Sequence, residues 1–201
     1  YSIPGDISSS AFFIVLTILS NKSKIKIQNV NINESRIGLI NILRRMNCKI
    51  SFKNKSIYKG EKIADIVVKS SKILKPINCP SYLNSSAIDE FLLIFLVAGT
   101  KTKGVSSFHN LGELNKKESP RLNIAIQFLK MLGIKVERNN NDIKIHGTAN
   151  IDLKKKYHIK NFLKDHRIFM MSCIAALTLG GNWKINDKDS INTSFPKFLK
   201  I

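Results

Sequence analysis

Cysteine is scarce in this sequence, and what there is does not pair. Cys48, Cys79 and Cys173 are odd in number and form no CxxC motif. That argues against a disulfide framework and against a thiolate zinc site, and it suits a reducing cytosol. Cys173 sits in the apolar run "MMSCIAALTLG" and reads as a core residue. Long apolar stretches are missing too. The runs "AFFIVLTIL" and "FLLIFLVAG" have the length of buried helices, short of the ~18 residues a membrane span needs, so no membrane partner is expected. No signal peptide is visible. The chain opens at Tyr1 without Met, just before the turn "IPGD", and is expected to be part of a longer protein.

Acidic residues are in short supply. Against 33 Lys and Arg there are 14 Asp and Glu in 201 residues, a formal net charge of +19 and an isoelectric point near 10.0. Such a balance suggests an anionic partner, whether nucleic acid, membrane surface or phosphorylated metabolite. The lysines, however, are scattered rather than banked on one face. They accompany an abundance of Ile and Asn that marks an AT-rich coding bias. Much of the charge therefore reads as compositional drift on a solvated surface. A nucleic-acid-binding module would want aromatic residues interleaved with a basic patch. Phe12, Phe13, Phe91 and Phe95 lie instead inside apolar runs. No nucleic-acid partner is expected.

What the sequence does contain is one unit written three times, spanning about residues 5–70, 71–148 and 149–201. "GDISSSAFFIVLTILSNKSKIKIQNVNINESRIGLINILRRMNCKISFK" matches "IDEFLLIFLVAGTKTKGVSSFHNLGELNKKESPRLNIAIQFLKMLGIKVER" feature by feature. Each begins with an Asp before an apolar run (Asp6, Asp89), passes a short strand, and reaches Glu-Ser followed by Arg. The offset from Arg36 to Met46 equals that from Arg121 to Met131. A third copy starts at "KDHRIFMM", headed by Asp165, and "SFPKFLKI" is expected to begin its second helix. The alternating segments "KIKIQNV", "ADIVVKS" and "NDIKIHG" predict half-buried strands, and "ERNNNDIKI" predicts a hairpin. The fold class expected is α/β (α+β): one pseudo-threefold domain, residues 1–201, of three β-α-β-α-β-β units, its inner helices covered by outer sheets.

Each leading Asp is expected to be a helix N-cap. The three helix starts would then gather at one end, where exposed N–H groups favour anions. Clusters of chemistry fall there: Asp89-Glu90, then Lys116, Lys117, Glu118 and Arg121, then Lys164, Asp165, His166 and Arg167. "IPGDISSS" and "INTSFP" add Ser8, Ser9, Ser10, Asn192, Thr193 and Ser194. Singly these have bland readings: Asp89 and Asp165 as caps, the serines as capping residues, Glu118 as a first-turn partner of the helix dipole, His166 as a satisfied structural histidine. His109, His146 and His158 show no partner at ligand spacing and read as surface or strand residues. Jointly, Arg121, Arg167 and a Lys would clamp a small dianion, with Asp89 and Glu118 beside it to move protons.

The segments "PGDISSSAFF", "SSAIDEF", "KKESPRL", "KDHRIFMM" and "INTSFPKF", in this order, resemble the C-terminal half of the EPSP synthase (3-phosphoshikimate 1-carboxyvinyltransferase) family of enolpyruvyl transferases. The pairing of K-E-S-x-R with D-H-R is specific, and the likeness spans nearly the whole chain. The resemblance implies a two-domain enzyme with its site between the halves, this chain being one half. It implies transfer of the enolpyruvyl group of phosphoenolpyruvate to the 5-hydroxyl of shikimate 3-phosphate, in aromatic amino acid biosynthesis through chorismate. By position, Asp89 matches the proton acceptor that contacts the shikimate hydroxyls, and Lys117 the lysine between the substrates. Glu118 matches the carboxylate that protonates the phosphoenolpyruvate methylene. Arg121 and Arg167 match its binding arginines, with His166 beside them. Neither cofactor nor metal is implied; a cytoplasmic, monomeric full-length enzyme is. The present chain alone is expected to be inactive.

Three positions depart from the family pattern: Pro120 stands where Asp is usual, Asn115 where Arg is common, and Phe169 where a small residue is found. Thr193 falls where some members carry a phosphate-binding Lys. The alternatives are a UDP-N-acetylglucosamine enolpyruvyl transferase, the nucleic-acid module above, and a scaffold that kept the fold without the chemistry.

Overall fold

Each long apolar run becomes a helix, and the reason is visible in its burial. A helix with no polar face cannot lie on a surface. A computed structural model of the chain describes residues 3–149 and 151–201; Tyr1, where the expected domain starts, lies outside the described residues, as do Ser2 and Asn150. Helices α1 (Ile7–Leu19), α4 (Phe91–Lys101) and α6 (His166–Leu179) pack against one another at the centre. Every residue of α4 is buried. Phe91, Phe95 and Phe108 form its aromatic contact with the sheet beside it, ring centroids 5.0–6.1 Å apart. Such burial is worth about 1.5–3 kcal/mol for each large side chain.

Around this trio lie the outer layers. In the first unit, β1 (Lys24–Asn31), β2 (Lys49–Tyr58) and β3 (Glu61–Lys69) form an antiparallel sheet of order β1-β3-β2. In the second, β4 (Lys103–Phe108), β5 (Val136–Asn139) and β6 (Asp142–Thr148) repeat the arrangement as β4-β6-β5. The third contributes β7 (Leu153–Ile159) and β8 (Gly180–Ile185), paired in parallel. Helices α2 (Gly38–Arg45) and α5 (Arg121–Met131) are the equivalent second helices of the first two units, and the short α3 (Asn84–Ala87) packs on α2. Two-residue turns join the hairpins. Lys59 and Gly60 have φ of 50° and 82°, and Asn140 has φ 51°, as tight hairpin turns require.

Asp65 shows how the first sheet holds its irregularities. It is buried in the central strand β3, opposite a register shift in each neighbour. Its carboxylate accepts from the Asn29 N–H at 3.1 Å, Asn54 Nδ2 at 2.7 Å and Lys26 Nζ at 2.8 Å. Asn29 and Asn54 both carry positive φ, 52° and 49°, so one carboxylate pins a left-handed residue on each side. The Lys26 contact, then the Asn29 N–H and Asn54, pull the Asp65 pKa down to about 2.

The pseudo-threefold plan is as expected, with three corrections. The leading strand of the unit is a full strand only in the third copy. In the first it shrinks to a bridge between Gly5 and Val30, and in the second to bridges at Leu74 and Asn78. "SFPKFLKI" is not a helix start; Pro196 precedes a single 3₁₀ turn, Phe198–Lys200. And Asp89 is not a cap. Helix α4 begins one residue later, with Glu90 at the N-cap position and no side-chain capping bond. Asp6 and Asp165 do cap, accepting from the Ser9 and Arg167 N–H groups at 2.8 and 2.9 Å.

Candidate active site

The three inner helices run in the same direction. Their N-terminal residues meet: Ser8 Oγ of α1 donates to Glu90 Oε1 at 2.6 Å, and Arg167 Nη1 of α6 donates to Glu90 Oε1 at 3.4 Å and to the Asp89 carbonyl at 3.1 Å. Their C-terminal ends meet at the opposite pole, around a 290 Å³ cavity lined by Leu19, Lys101 and Leu179. Dipoles aligned in this way put partial positive charge at the first pole, where the site residues lie.

Asp89 is the hub. Because α4 starts after it, its carboxylate is free of capping and points among cations from three segments. Oδ1 lies 3.3 Å from Arg121 Nη1 and 3.6 Å from Lys117 Nζ, and Oδ2 lies 3.8 Å from Arg167 Nη2. Burial raises its pKa, but the fields of Arg167, Lys117, Arg121 and Arg36 outweigh burial, and the net shift is downward. Asp89 is therefore ionised at neutral pH and can accept a proton.

Arg121 differs from Arg167 in what surrounds it. Only 2% of its side chain is exposed. Nε donates to Asp165 Oδ2 at 2.8 Å and Nη2 to Oδ1 at 3.3 Å, and Nη2 also lies 3.5 Å from Glu118 Oε2. Asp165, which caps α6, accepts from Ser119 Oγ at 2.8 Å as well. Burial opposes its ionisation, yet the Arg121 bond, Arg121's charge, Ser119 and the Arg167 N–H together hold its pKa below the usual value. Arg167 is the more accessible guanidinium, 14% exposed.

Glu118 is half exposed, and His166 Nδ1 stands 3.1 Å from its Oε2. The structure thus brings Asp89, Lys117, Glu118, Arg121, His166 and Arg167 into one connected cluster, the six residues to which the resemblance gave roles. Thr193 is exposed, while its neighbour Ser194 lines a small cavity with Asp6, Ser8, His166 and Arg167. His109, His146 and His158 lie elsewhere, paired with Asp142, Glu137 and Asn186.

Glu118, Asp165 and His166 place ligand atoms within 4.8 Å of one another, a spacing a metal ion could bridge. The donor set does not fit one. Asp165 is already bonded to Arg121, Ser119 and the Arg167 N–H, and a cation there would face the Arg121 guanidinium.

The departures at Pro120 and Asn115 offset each other. Pro120 heads α5 without a side-chain cap, and Asn115 Oδ1 accepts from the Asn123 N–H of the first turn at 3.3 Å. Phe169 is buried and α6 is regular there, its N–H bonded to the Asp165 carbonyl at 3.1 Å. Three residues take part in ways that the sequence reading did not assign. Ser8 was read as a cap, yet it is buried and bonded to Glu90. Arg36 donates through Nη2 to Ser8 Oγ at 3.0 Å. Its repeat-equivalence to Arg121 was the available signal. Glu90 was named beside Asp89 in the helix-start cluster but given no role.

The family model for EPSP synthase (3-phosphoshikimate 1-carboxyvinyltransferase) matches residues 1–201. The chain belongs to this family. It is 39% identical over 199 residues to the 3-phosphoshikimate 1-carboxyvinyltransferase of Ruthia magnifica subsp. Calyptogena magnifica, covering 99% of this chain and 45% of that protein. It is 36% identical to the protein of the same name from Zymomonas mobilis, covering 44% of it. The solved EPSP synthase of Acinetobacter baumannii superposes with a TM-score of 0.90 at 33% identity, over 98% of this chain and 45% of that one. The enolpyruvyl transferase NikO from Streptomyces tendae, at 13% identity and a TM-score of 0.69, shares the fold. The chain spans about half the length of the relatives it matches. Among the described residues no single helix is long and apolar enough to cross a membrane.

Proposed function

We propose that the protein to which this chain belongs transfers the enolpyruvyl group of phosphoenolpyruvate to the 5-hydroxyl of shikimate 3-phosphate. The observation that carries this reading is Asp89, an ionised carboxylate ringed by Lys117, Arg121 and Arg167 within 3.8 Å. In the addition step the 5-hydroxyl oxygen bonds to C2 of phosphoenolpyruvate while C3 takes a proton. Asp89 accepts the hydroxyl proton and Glu118, on the exposed side of the cluster, gives one to C3. In the elimination step C3 returns a proton, the double bond re-forms and inorganic phosphate leaves. Fixed cations, Arg167 foremost, hold the phosphate and carboxylate, and the carboxylates stabilise the positive character that C2 takes on within each step. Lys117 lies between the substrates, its ammonium shared with Asp89.

The remaining contacts to both substrates come from a second half of the enzyme, which closes over this pole. That division fits the exposure of Glu118, half of whose side chain is open to solvent. The enzyme works in the cytosol as a monomer. The test is phosphate release by the protein at its native length, with phosphoenolpyruvate and either shikimate 3-phosphate or UDP-N-acetylglucosamine. Turnover with shikimate 3-phosphate alone is expected; turnover only with the sugar nucleotide overturns the assignment. The 201-residue chain by itself is expected to be inactive, and normal turnover by it would refute the two-half reading.

A further inference from the structure

Glu90 is the most enclosed acid at the pole other than Asp165, with 3% of its surface exposed. It bonds to two segments directly and to a third through Ser8. Ser8 Oγ of α1 donates to its Oε1 at 2.6 Å, Arg36, from the loop before α2, donates to that same Ser8 Oγ at 3.0 Å, and Arg167 Nη1 of α6 reaches it at 3.4 Å. The string Arg36–Ser8–Glu90–Arg167 crosses all three units. It also governs one particular edge of a guanidinium. Arg167 Nη1 has two hydrogens, and they go to the Asp89 carbonyl and to Glu90. Nη2 has only the looser 3.8 Å approach to Asp89 among the described residues. The edge left for a bidentate anion is therefore the Nη2 side.

We propose that Glu90 is a positioning residue that turns Arg167 so that this edge meets the anionic substrate, and that Arg36, acting through Ser8, keeps Glu90 in the ionised form that can do so. The inference rests on the reading of Arg167 as a phosphoenolpyruvate ligand. The charged groups facing Glu90 are Arg167, Asp89 and Arg36. Burial is the largest influence and raises its pKa, Asp89 pushes the same way, and the Ser8 bond, Arg167 and Arg36 oppose them. Protonating Glu90 removes the charge that anchors Nη1. Substrate affinity should then fall as pH is lowered through that raised pKa.

The experiment uses the protein at its native length, with phosphoenolpyruvate as the probe. Turnover and calorimetric binding are measured from neutral to mildly acidic pH in wild type, Glu90→Gln and Arg36→Met. In Glu90→Gln the KM for phosphoenolpyruvate should rise about tenfold, the worth of one charge-assisted hydrogen bond, and more than kcat falls. The part of the acid limb that exceeds the protonation of the probe's own phosphate should disappear. In Arg36→Met the limb should persist but move to higher pH by about half a unit or more, because a cation that favoured the ionised form is gone. Arg36→Met also carries the test if Glu90→Gln does not fold. A merely structural Glu90 would lower stability without touching the pH limb. Turnover with phosphoenolpyruvate affinity and pH profile unchanged in both variants overturns the inference and leaves the proposed reaction standing. Glu90-dependent binding without wild-type turnover supports the inference and overturns the reaction. Failure of wild type to bind the probe overturns both.

Discussion

Arg121 and Asp165 form a buried ion pair that joins the second unit to the third, Nε to Oδ2 at 2.8 Å, with 2% and 0% of their side chains exposed. The same carboxylate caps α6 and accepts from Ser119. One residue thereby fixes the start of α6, the loop that carries Lys117 and Glu118, and the guanidinium that reaches Asp89. Asp165→Asn is expected to cost about 3–5 kcal/mol, because it leaves Arg121 buried with its principal counter-charge removed. Urea unfolding followed by circular dichroism measures this; a loss under about 1 kcal/mol contradicts the bracing role.

Acid should act through the same groups. Asp165 and Asp65 both have folded pKa values below the ordinary 3.8, Asp65 at about 2. A depressed folded pKa contributes stability that is fully present above the ordinary value and is lost as pH falls through the folded one. Stability should hold from neutral pH to just above 4, then drop as pH descends towards about 2. Thermal midpoints across that range test it, and Asp65→Asn should flatten part of the drop.

At the proposed reacting groups the expectation is kinetic. Asp89→Asn and Glu118→Gln preserve shape and remove the carboxyl groups that accept and give the proton. Each should lower kcat by about 10²–10⁴-fold in the protein at its native length. Asp89→Asn should also cost some stability, since it leaves Lys117, Arg121 and Arg167 without a shared counter-charge, but less than Asp165→Asn, because Asp89 is 29% exposed where Asp165 is fully buried. A loss of activity that tracks loss of fold would contradict the assignment.

Gly38 offers a packing test remote from the chemistry. A Cβ there would lie 2.5 Å from the carbonyl carbon of Ser86 and 2.6 Å from the Ala87 nitrogen, both backbone. Backbone cannot swing aside as a side chain can, so α2 and α3 must part. Gly38→Ala is expected to cost about 1–3 kcal/mol, despite alanine's better helix propensity. An unchanged melting temperature would show that the two helices are not closely packed there.

The three thiols should be inert in the folded protein. Burial pushes Cys48 up to about 12 and Cys173 to about 11; Cys79, also raised chiefly by burial with Arg45 opposing, reaches about 11. Thiolate is the reactive form, so native alkylation at mildly alkaline pH should be slow at all three and rapid once denaturant is added. Mass spectrometry of timed iodoacetamide reactions reads this directly.

Periodicity and repetition in the sequence were enough to locate the inner helices and the hairpin at "ERNNNDIKI". These are local or nearly local properties: a helix with no polar face must be interior, and a strand that alternates must cover something. The same linear pattern, with its specific motifs, identified the family and the six residues that meet at the pole. What the chain order could not reveal was how those residues divide their labour. Asp89, Asp6 and Asp165 all precede apolar runs and look alike in sequence. Only packing starts α4 one residue late, freeing Asp89 for the cations while Asp6 and Asp165 cap. Arg121 and Arg167 look like a matched pair, yet one is sealed against Asp165 and the other stays partly open. Glu90, Ser8 and Arg36 become partners only because residues 82 and 28 positions apart along the chain are folded to within hydrogen-bonding reach. Burial and charge pairing are properties of three-dimensional neighbourhoods, and those are set by the docking of the three units on one another.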